Sequence, residues 1–470
     1  MLSTFSDKTN FIWSIADLIR DTFKRGRYQD VILPFTVLRR IDQVLEPTKD
    51  AVLETHAKYK DRFDTPPDAL LRRASGYAFY NTSPYTFGRL LADPANLADN
   101  LRAYIAGFSA NMREVVEKFD FDNTLGRMDD AGLLYMMMER FNAIDLHPDR
   151  VPNQQMSYIF EELIRKFNEA LNENPGEHFT PREVVRLMVR LLLAPDGERL
   201  QTPRLVLTAN DPCCGTGGMV ITFKETVLAS NPGADVHLFG QEVNPETYAI
   251  CKSDLYMKSA DGRDAENIAF GSTLSNDHHA GRRFDYQLAN PPYGKDWKMD
   301  QAAVEREAER GYAGRFGAGT PRISDGQLLF LQHMLNRMQL PSPPGTGAGG
   351  EGGRVAIVMN GSPLFTGDAG SGESEIRRWI LENDWLEAII ALPEQLFYNT
   401  GIATYVWVLS NRKAAQRKGR VQLIDASDLW RPMRKSLGDK RREIAEEHIA
   451  EVVRVYQGAT HLRAAVVEQD

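Results

Sequence analysis

Cysteine is scarce in this 470-residue chain, which contains only Cys213, Cys214 and Cys251. Three cysteines cannot form the set of disulfides that holds small secreted domains together. The sequence also has no CxxC pair and no His/Cys cluster with the spacing of metal ligands. It therefore predicts neither a disulfide scaffold nor a metal site.

Long hydrophobic runs are absent as well. No apolar stretch is long enough to span a bilayer, and the opening MLSTFSDKTNF has neither the basic start nor the apolar core of a secretion signal. Apolar residues make up 42% of the chain and charged residues 26%, which is an ordinary balance for a globular protein. We therefore predict a cytoplasmic protein without membrane contact, and its length allows two or three domains.

Positive charge is in short supply, because the formal net charge is −8. Proteins that hold nucleic acid neutralise its phosphates with Lys and Arg. The charge balance argues against a chain that grips a long nucleic acid by itself. A local basic groove, or a partner subunit that supplies positive charge, remains compatible with it.

What the sequence does contain is a change of periodicity near residue 150. Up to about residue 145, stretches such as FIWSIADLIRDTF repeat apolar residues at helical spacing. Beyond it, seven apolar strands alternate with helical stretches: RLVLTAND, GADVHLFGQEV, ENIAFGST, FDYQLAN, RVAIVMN, LEAIIALP and ATYVWVLSN. This alternation predicts an α/β fold with a doubly wound, mostly parallel sheet of seven strands. The later stretch KRREIAEEHIAEVVRVYQ predicts a charged amphipathic helix.

In LVLTANDPCCGTGGMVITF, a strand runs through a glycine-rich turn into a helix. Gly215, Gly217 and Gly218 let the backbone turn tightly and approach a ligand, while the lack of a GK[ST] sequence argues against ATP. The next strand ends in GQEVNP, which puts Glu242 where doubly wound folds bind ribose hydroxyls. A plain turn and a solvated glutamate are the structural alternatives. Taken together, the two features favour an adenosine-containing cofactor.

The stretch GEHFTPREVV predicts the start of a helix. Thr180 suits the N-cap, Pro181 the first helical position and Glu183 the third, which makes a capping box. Alternatively, Phe179 packs on a ligand, and the unpaired N–H groups at the helix start bind a carboxylate. The residues alone leave both interpretations open.

In FDYQLANPPYG, a strand runs directly into Asn290 and two prolines. Pro291 and Pro292 stop the strand because they have no N–H to donate. The Asn290 side-chain oxygen and the Pro291 carbonyl are then two hydrogen-bond acceptors at a stiff corner, where they can bind a planar amine. The Tyr293 ring can stack on the heterocycle that carries this amine, as enzymes do with an extruded base. A strand-ending turn with an Asx-type hydrogen bond is the alternative.

HFTPRE, DPCCGTGGM, GQEVNP and NPPYG occur in this order, and the chain thereby resembles the modification subunits of type I restriction–modification systems. These are S-adenosylmethionine-dependent DNA adenine-N6 methyltransferases. The resemblance covers nearly the whole chain, including MSYIFEELIRKF, DGQLLFLQHML and LPEQLFYNTGIATYVWVLSN. NPPY alone would also suit an RNA or protein-glutamine N-methyltransferase. A degenerate methyltransferase fold that only binds a ligand or partner is a further alternative.

The resemblance implies a Rossmann-like methyltransferase sheet, an N-terminal all-helical domain and a set of site residues. The residues implied at the cofactor, S-adenosyl-L-methionine, are Glu177, His178, Phe179, Thr180, Pro181, Arg182, Asp211, Cys214, Gly215, Thr216 and Glu242. The catalytic residues implied are Asn290, Pro291, Pro292 and Tyr293, and Tyr293 and Phe397 would bind the extruded base. The chain departs from the family pattern at Cys213, where a small residue is usual, and at Ser272, where an aspartate is common.

The resemblance also implies partners and a division of labour. The substrate would be double-stranded DNA with the target adenine flipped out. A specificity subunit would bridge two modification subunits, and a restriction subunit would be a further component that can join this complex. Residues 1–150 would form a helical domain that contacts partner or DNA, 151–415 the catalytic domain, and 416–470 a charged helical tail for subunit docking. The DNA recognition sequence would be encoded in the specificity subunit.

Overall fold

The computed structural model describes residues 5–62, 67–171, 180–341, 352–398, 401–458 and 464–468. The chain forms two compact units. The first comprises Met1–Glu173 and Asn244–Ile268, and the second comprises Asn174–Val243 and Ala269–Asp470. No helix among the described residues is both long and apolar enough to cross a bilayer.

The first unit is helical. Its helices are α1 (Phe5–Ser14), α2 (Ala16–Ile19), α3 (Gln29–Leu45), α4 (Lys49–Tyr59), α5 (Asp68–Ser75), α6 (Phe87–Leu91), α7 (Leu97–Ala106), α8 (Ala110–Glu117), α9 (Phe121–Asp130), α10 (Leu134–Asn142), α11 (Asn153–Leu171), α15 (Pro245–Lys258) and α16 (Arg263–Glu266). Ile12, Ile15, Ile19 and Phe23 are buried, because apolar residues at helical spacing share one face. The predicted helical N-terminal region is confirmed.

Helices α15 and α16 fold with the first unit, although the sequence analysis places them inside a catalytic domain that starts at residue 151. α15 packs against α3, α8 and α11. The Tyr248 hydroxyl donates to Glu114 Oε1 at 2.7 Å, and Lys252 Nζ lies 3.2 Å from Glu114 Oε2. The division at residues 150 and 415 stays a prediction.

The second unit centres on a sheet that has nine strands within the described residues. The strands are β1 (Val206–Asp211), β2 (Asp235–Glu242), β3 (Ile268–Phe270), β4 (Tyr286–Ala289), β5 (Arg354–Asn360), β6 (Leu386–Ala391), β7 (Thr404–Ser410), β8 (Arg420–Asp425) and β11 (Ala464–Glu468), with β9 (Arg431–Leu437) and β10 (Lys440–Glu443) in a separate hairpin. Their order across the sheet is β11–β8–β6–β7–β5–β4–β1–β2–β3. The helices are α12 (Arg182–Leu193), α13 (Gly197–Leu200), α14 (Gly218–Ser230), α17 (Gln301–Ala308), α18 (Gln327–Asn336), α19 (Ser362–Phe365), α20 (Gly372–Glu382) and α21 (Glu446–Tyr456).

The predicted α/β class and mostly parallel sheet are confirmed. β1 pairs in parallel with β2 and β4, β4 with β5, and β6 with β8, whereas β7 runs antiparallel to both β5 and β6. All seven predicted strands are present as β1–β7. The predicted number of seven is too low, because β8 and β11 extend the sheet beyond β6. Six of the seven residues of β5 are buried, as expected for a central strand covered on both faces.

The region after residue 416 is less helical than predicted. Its only described helix, α21, buries Ile449, Val452 and Val455 and packs against α12 and β8. Tyr456 also donates a 2.5 Å hydrogen bond to Glu387 Oε2, beside the buried Glu387–Arg354 ion pair of 2.6 Å. The difference arises from tertiary contacts. β8 pairs with both β6 and β11, and this pairing stabilises short apolar segments as strands.

Candidate functional site

The glycine turn and the proline corner follow neighbouring strands. β1 and β4 pair in parallel, with Ala209 opposite Tyr286, so their carboxyl ends reach the same edge of the sheet. The turn begins after Asp211, and the corner begins at Asn290. In open α/β sheets, ligands bind at this edge, where the strand order changes direction. Here β2 and β3 lie on one side of β1, and β4 and β5 lie on the other.

The turn has the backbone geometry that its glycines predict. Gly215 and Gly217 have φ values of 53° and 83°, which an L-residue adopts only with strain. The Gly215 N–H donates to Glu242 Oε2 at 2.7 Å, and the Cys214 N–H donates to the Gln241 carbonyl at 3.0 Å. The end of β2 is thereby attached to the turn after β1. The structure brings together Gly215 and Glu242, two residues that the sequence analysis predicts for one cofactor.

Two carboxylates share this part of the site. Asp211 is almost fully buried at the end of β1, and it accepts a 3.0 Å hydrogen bond from the Cys213 N–H. Burial raises the pKa of Asp211 to about 7, and the negative charge of Glu242 adds to this shift. A cationic ligand beside Asp211 would favour its ionised form and would be stabilised by its negative charge in return.

Cys213 connects the turn to the corner. Burial and the carboxylates of Asp211 and Glu242 raise the pKa of its thiol, an effect that a hydrogen bond from the Asn290 backbone partly offsets. The Cys213 side chain also packs against a core cluster that includes Ala289, the last residue of β4. The residue that departs from the family pattern therefore lies at the junction of the two predicted subsites.

At the corner, Asn290 and Tyr293 are in direct contact. The Tyr293 hydroxyl donates a hydrogen bond to Asn290 Oδ1, and burial raises the pKa of that hydroxyl well above its usual value. An amide oxygen has two lone pairs, so this bond leaves Asn290 a second acceptor position. Pro291 is buried, and Pro292 is half-buried.

Phe397 lies beside the corner, although it is 104 residues away from Tyr293 in the sequence. The two ring centroids are 6.4 Å apart at an interplanar angle of 75°, which is an edge-to-face arrangement. Phe397 is 1% exposed and follows β6. The structure therefore brings together the two aromatic residues predicted to bind the target base.

The start of α12 differs from the sequence-based prediction by one position. Pro181, rather than Thr180, is the N-cap: its φ and ψ are −53° and 137°, and its carbonyl accepts from the N–H groups of Val184 and Val185. The predicted capping box does not form, because Glu183 instead pairs with the buried Lys440. Thr180 then precedes the cap, and Arg182 is the first helical residue.

The α12 residues are not tied to the turn as directly as Glu242 is. α12 packs against α14, the helix that follows the glycine turn. Glu177, His178 and Phe179 lie outside the described residues, so their predicted contacts stay predictions. Thr216 belongs to the turn and is half-buried.

One contributor was missed by the sequence analysis. Gln241, buried at the end of β2, donates to the carbonyls of Gly271 and Asn276 at 3.2 and 2.7 Å. It thereby holds the loop after β3, which contains the partly exposed Ser272, beside Glu242. The Gly271 N–H donates to the Glu242 carbonyl at 2.9 Å. The only signal for Gln241 was its position next to Glu242 in GQEVNP.

Comparison with known proteins matches a family model to each of two long segments of the chain. Residues 152–468 match the model for the N-6 DNA methylase family, and residues 8–141 match the model for the HsdM N-terminal domain. The MjaIX type I restriction enzyme methylase subunit of Methanocaldococcus jannaschii is 23% identical over 94% of this chain and 76% of its own length. The MjaVII methylase subunit of the same organism is 31% identical over 65% of this chain, which spans about half (52%) of that relative.

A solved structure supports the fold. The type I restriction–modification methyltransferase subunit from Streptococcus thermophilus superposes with a TM-score of 0.72 at 20% identity, over 99% of this chain and 96% of that one. The family match covers more than half of the sequence and includes the turn, Glu242 and the proline corner. The chain belongs to the N-6 DNA methylase family and is a DNA methyltransferase subunit of the type I restriction-enzyme class.

Proposed function

We propose that this chain transfers a methyl group from S-adenosylmethionine to the N6 amine of a flipped-out adenine at the Asn290 corner. The observation that carries the proposal is the junction at Cys213, where the turn after β1 meets the corner after β4. A methyl donor held over the turn and an amine held at the corner would be neighbours. Proximity and alignment of this kind contribute up to about 7–11 kcal/mol in favourable cases.

The residues of the glycine turn suit S-adenosylmethionine, the methyl donor. Gly215 and Gly217 leave room for close approach of a ligand to the backbone, and Glu242 has the acceptor oxygens that ribose hydroxyls require. Asp211 and Glu242 favour a ligand with positive charge, and the methionine moiety of this cofactor carries both an ammonium and a sulfonium group. Phe179, Thr180 and Pro181 are proposed to hold that end.

The corner at Asn290 suits the adenine that receives the methyl group. Asn290 Oδ1 and the Pro291 carbonyl would accept the two amine hydrogens, and Tyr293 and Phe397 would contact the base through their rings. Adenine's amine is a weak nucleophile because its lone pair is delocalised into the ring. Two acceptors favour the pyramidal nitrogen and stabilise the positive charge that grows on it during transfer. S-adenosylmethionine supplies an electrophilic methyl carbon, so no protein nucleophile is required.

The partners follow from the type I class. We propose a specificity subunit that reads the DNA sequence and bridges two copies of this chain, with a restriction subunit as a further component. The net charge of −8 supports a requirement for another subunit at the DNA. The charged outer face of α21 and the N-terminal helices are proposed as docking surfaces, and cytoplasmic location stays a prediction.

The class of methyl acceptor decides between this function and the RNA and protein-glutamine alternatives. We expect tritium from labelled S-adenosylmethionine to enter duplex DNA and to appear as N6-methyladenine after digestion. The assay uses the chain with its specificity subunit, and tRNA, ribosomes and a peptide-release factor serve as competing acceptors. Label in RNA or in a glutamine side chain would contradict the proposed substrate.

Replacement of Glu242 by alanine is expected to weaken S-adenosylmethionine binding by roughly 10–100-fold, because hydrogen bonds to a charged group contribute about 1.5–3 kcal/mol. Glu242→Gln keeps an acceptor for the Gly215 N–H and should lose less. Isothermal calorimetry measures the affinity, and circular dichroism checks the fold. Glu382→Ala, on the exposed surface of α20, is the control. Unchanged affinity in Glu242→Ala would refute the ribose assignment.

A further inference from the structure

The hairpin β9–β10 has a charge opposite to that of the whole chain. Its residues 431–443, RPMRKSLGDKRRE, include six cations and two carboxylates, a net charge of +4 on a chain of −8. Arg434, Lys435 and Arg441 are exposed. Basic side chains concentrated on one exposed element are the electrostatic signature of phosphate binding.

The hairpin borders a groove. This groove, of about 550 Å³, is lined by Arg431, Pro432, Met433, Arg434, Lys435 and Glu443. Glu443 is engaged by Arg431 at 2.6 Å. Within the ranges that the structure describes, neither Arg434 nor Lys435 has an acidic partner. Their charges are therefore available to an anionic ligand.

The inner side of the hairpin is attached to the segment that carries Phe397. Lys440, which is 3% exposed, donates to the Leu396 carbonyl at 2.9 Å. The Asp439 N–H donates to the Tyr398 carbonyl at 2.9 Å, and the Arg441 N–H donates to the Gln395 carbonyl at 3.0 Å. Hydrogen bonds from the hairpin thus reach residues on both sides of Phe397.

This attachment holds an unfavourable backbone conformation. Gln395 has a φ of 59°, a left-handed value that residues other than glycine adopt with strain. Its carbonyl also accepts from the Arg442 N–H at 3.3 Å. Because Phe397 meets Tyr293 edge to face, the hairpin positions one wall of the proposed base pocket.

We propose that the β9–β10 hairpin binds backbone phosphates of the DNA strand beside the flipped adenine, through Arg434, Lys435 and Arg441. The proposal rests on the proposed function, because the base pocket defines where the DNA lies. Phosphates are favoured over an acidic protein surface because the cations lie on the same element that supports Phe397. A flipped nucleotide requires its flanking backbone to pass close to the pocket.

The test is the salt dependence of DNA binding. Each phosphate contact adds about 0.9 to the slope of log affinity against log salt. We expect Arg434→Gln/Lys435→Gln to lower this slope by about 2. Fluorescence anisotropy with a fluorescein-labelled duplex measures it over a potassium chloride series. The chain is measured in complex with its specificity subunit, because another subunit is proposed to be required at the DNA.

The matched control is Arg204→Gln/Lys418→Gln, which removes two exposed cations at the amino ends of β1 and β8. It should leave the slope unchanged. An equal fall in both double variants, or no fall in the hairpin variant, would overturn the proposal. Loss of specificity-subunit binding with an unchanged slope would also overturn it and indicate a protein-docking surface.

The readouts separate this proposal from the methyltransferase function. The hairpin variant should keep wild-type S-adenosylmethionine affinity, because Arg434 and Lys435 are exposed and the hydrogen bond that holds the glycine turn is made by Gly215 and Glu242. If DNA binding depends on the hairpin but adenine is not methylated, the proposed function fails and the phosphate site stands. If adenine is methylated and the slope does not change, the phosphate site fails alone.

Discussion

Replacing Asn290 with alanine is expected to lower the rate of methyl transfer by roughly 10²–10³-fold, the cost of removing one positioned group that stabilises transition-state charge. The side-chain oxygen is one of two acceptors for the amine, whose positive charge grows as the new bond forms. The cofactor turn, in contrast, is held by Gly215 and Glu242. Affinity for S-adenosylmethionine should therefore stay within about twofold in calorimetry, while single-turnover assays with tritiated cofactor show the lost rate.

The variant Tyr293→Phe, compared with Asn290→Ala, tests the contribution of the Tyr293 hydroxyl. It removes the hydroxyl that donates to Asn290 Oδ1 but keeps the ring that faces Phe397. Because stacking needs the ring alone, this variant should retain most activity, whereas Tyr293→Ala should weaken target binding. An Asn290→Ala protein with wild-type rate would show that the amide does not receive the amine. A Tyr293 variant that changes only cofactor affinity would show that the ring lines the cofactor site and not the pocket for the target base.

The second large effect concerns the specificity subunit. The purified chain alone is expected to bind S-adenosylmethionine yet leave plasmid DNA unmethylated, and co-expression with the specificity subunit should restore sequence-specific methylation. The physical reason is that base-edge recognition needs a dedicated surface. The described residues after β7 form strands of the sheet, the hairpin and α21, which packs against α12 and β8. Sequencing that detects modified adenine measures the outcome.

The matched control for this experiment is the specificity subunit co-expressed with the Asn290→Ala chain. It separates a missing partner from a missing catalytic group, because the complex should form but remain inactive. Robust site-specific methylation by the isolated chain would refute the dependence on a partner. Methylated cytosine would refute the assignment of adenine.

Local patterns predicted the parts of the fold whose signal lies within a few residues. Strands β1–β7 each carry an apolar run that can be recognised without knowledge of its neighbours. β8 and β11 could not be found in this way, because β11 pairs with β8 across about forty residues of intervening chain. Strand propensity depends on such pairing, and it is weak for short segments taken alone.

The same distinction holds at the site. Gly215, Glu242 and Asn290 could be chosen from the sequence because turns and strand ends have local signatures. The importance of Cys213, Gln241 and the α12 cap depends on contacts that sequence spacing does not reveal. Glu183 is the clearest case. The local sequence around it predicts a capping box, but its partner in the structure is Lys440, which lies 257 residues further along the chain. The long-range ion pair takes the place of the local capping hydrogen bond.

The excursion of residues 244–268 into the helical unit has a consequence for how this protein can be divided. Most of α15 is buried, and the helices that cover it, α3, α8 and α11, all belong to the first 173 residues. A gene fragment that encodes only the strand-bearing unit would still encode α15, and it would expose that apolar surface to water. A single cut in the coding sequence cannot separate the units, so shuffling or transplanting the methyltransferase portion requires three junctions: one after residue 173 and one on either side of the inserted helices, after residues 243 and 268.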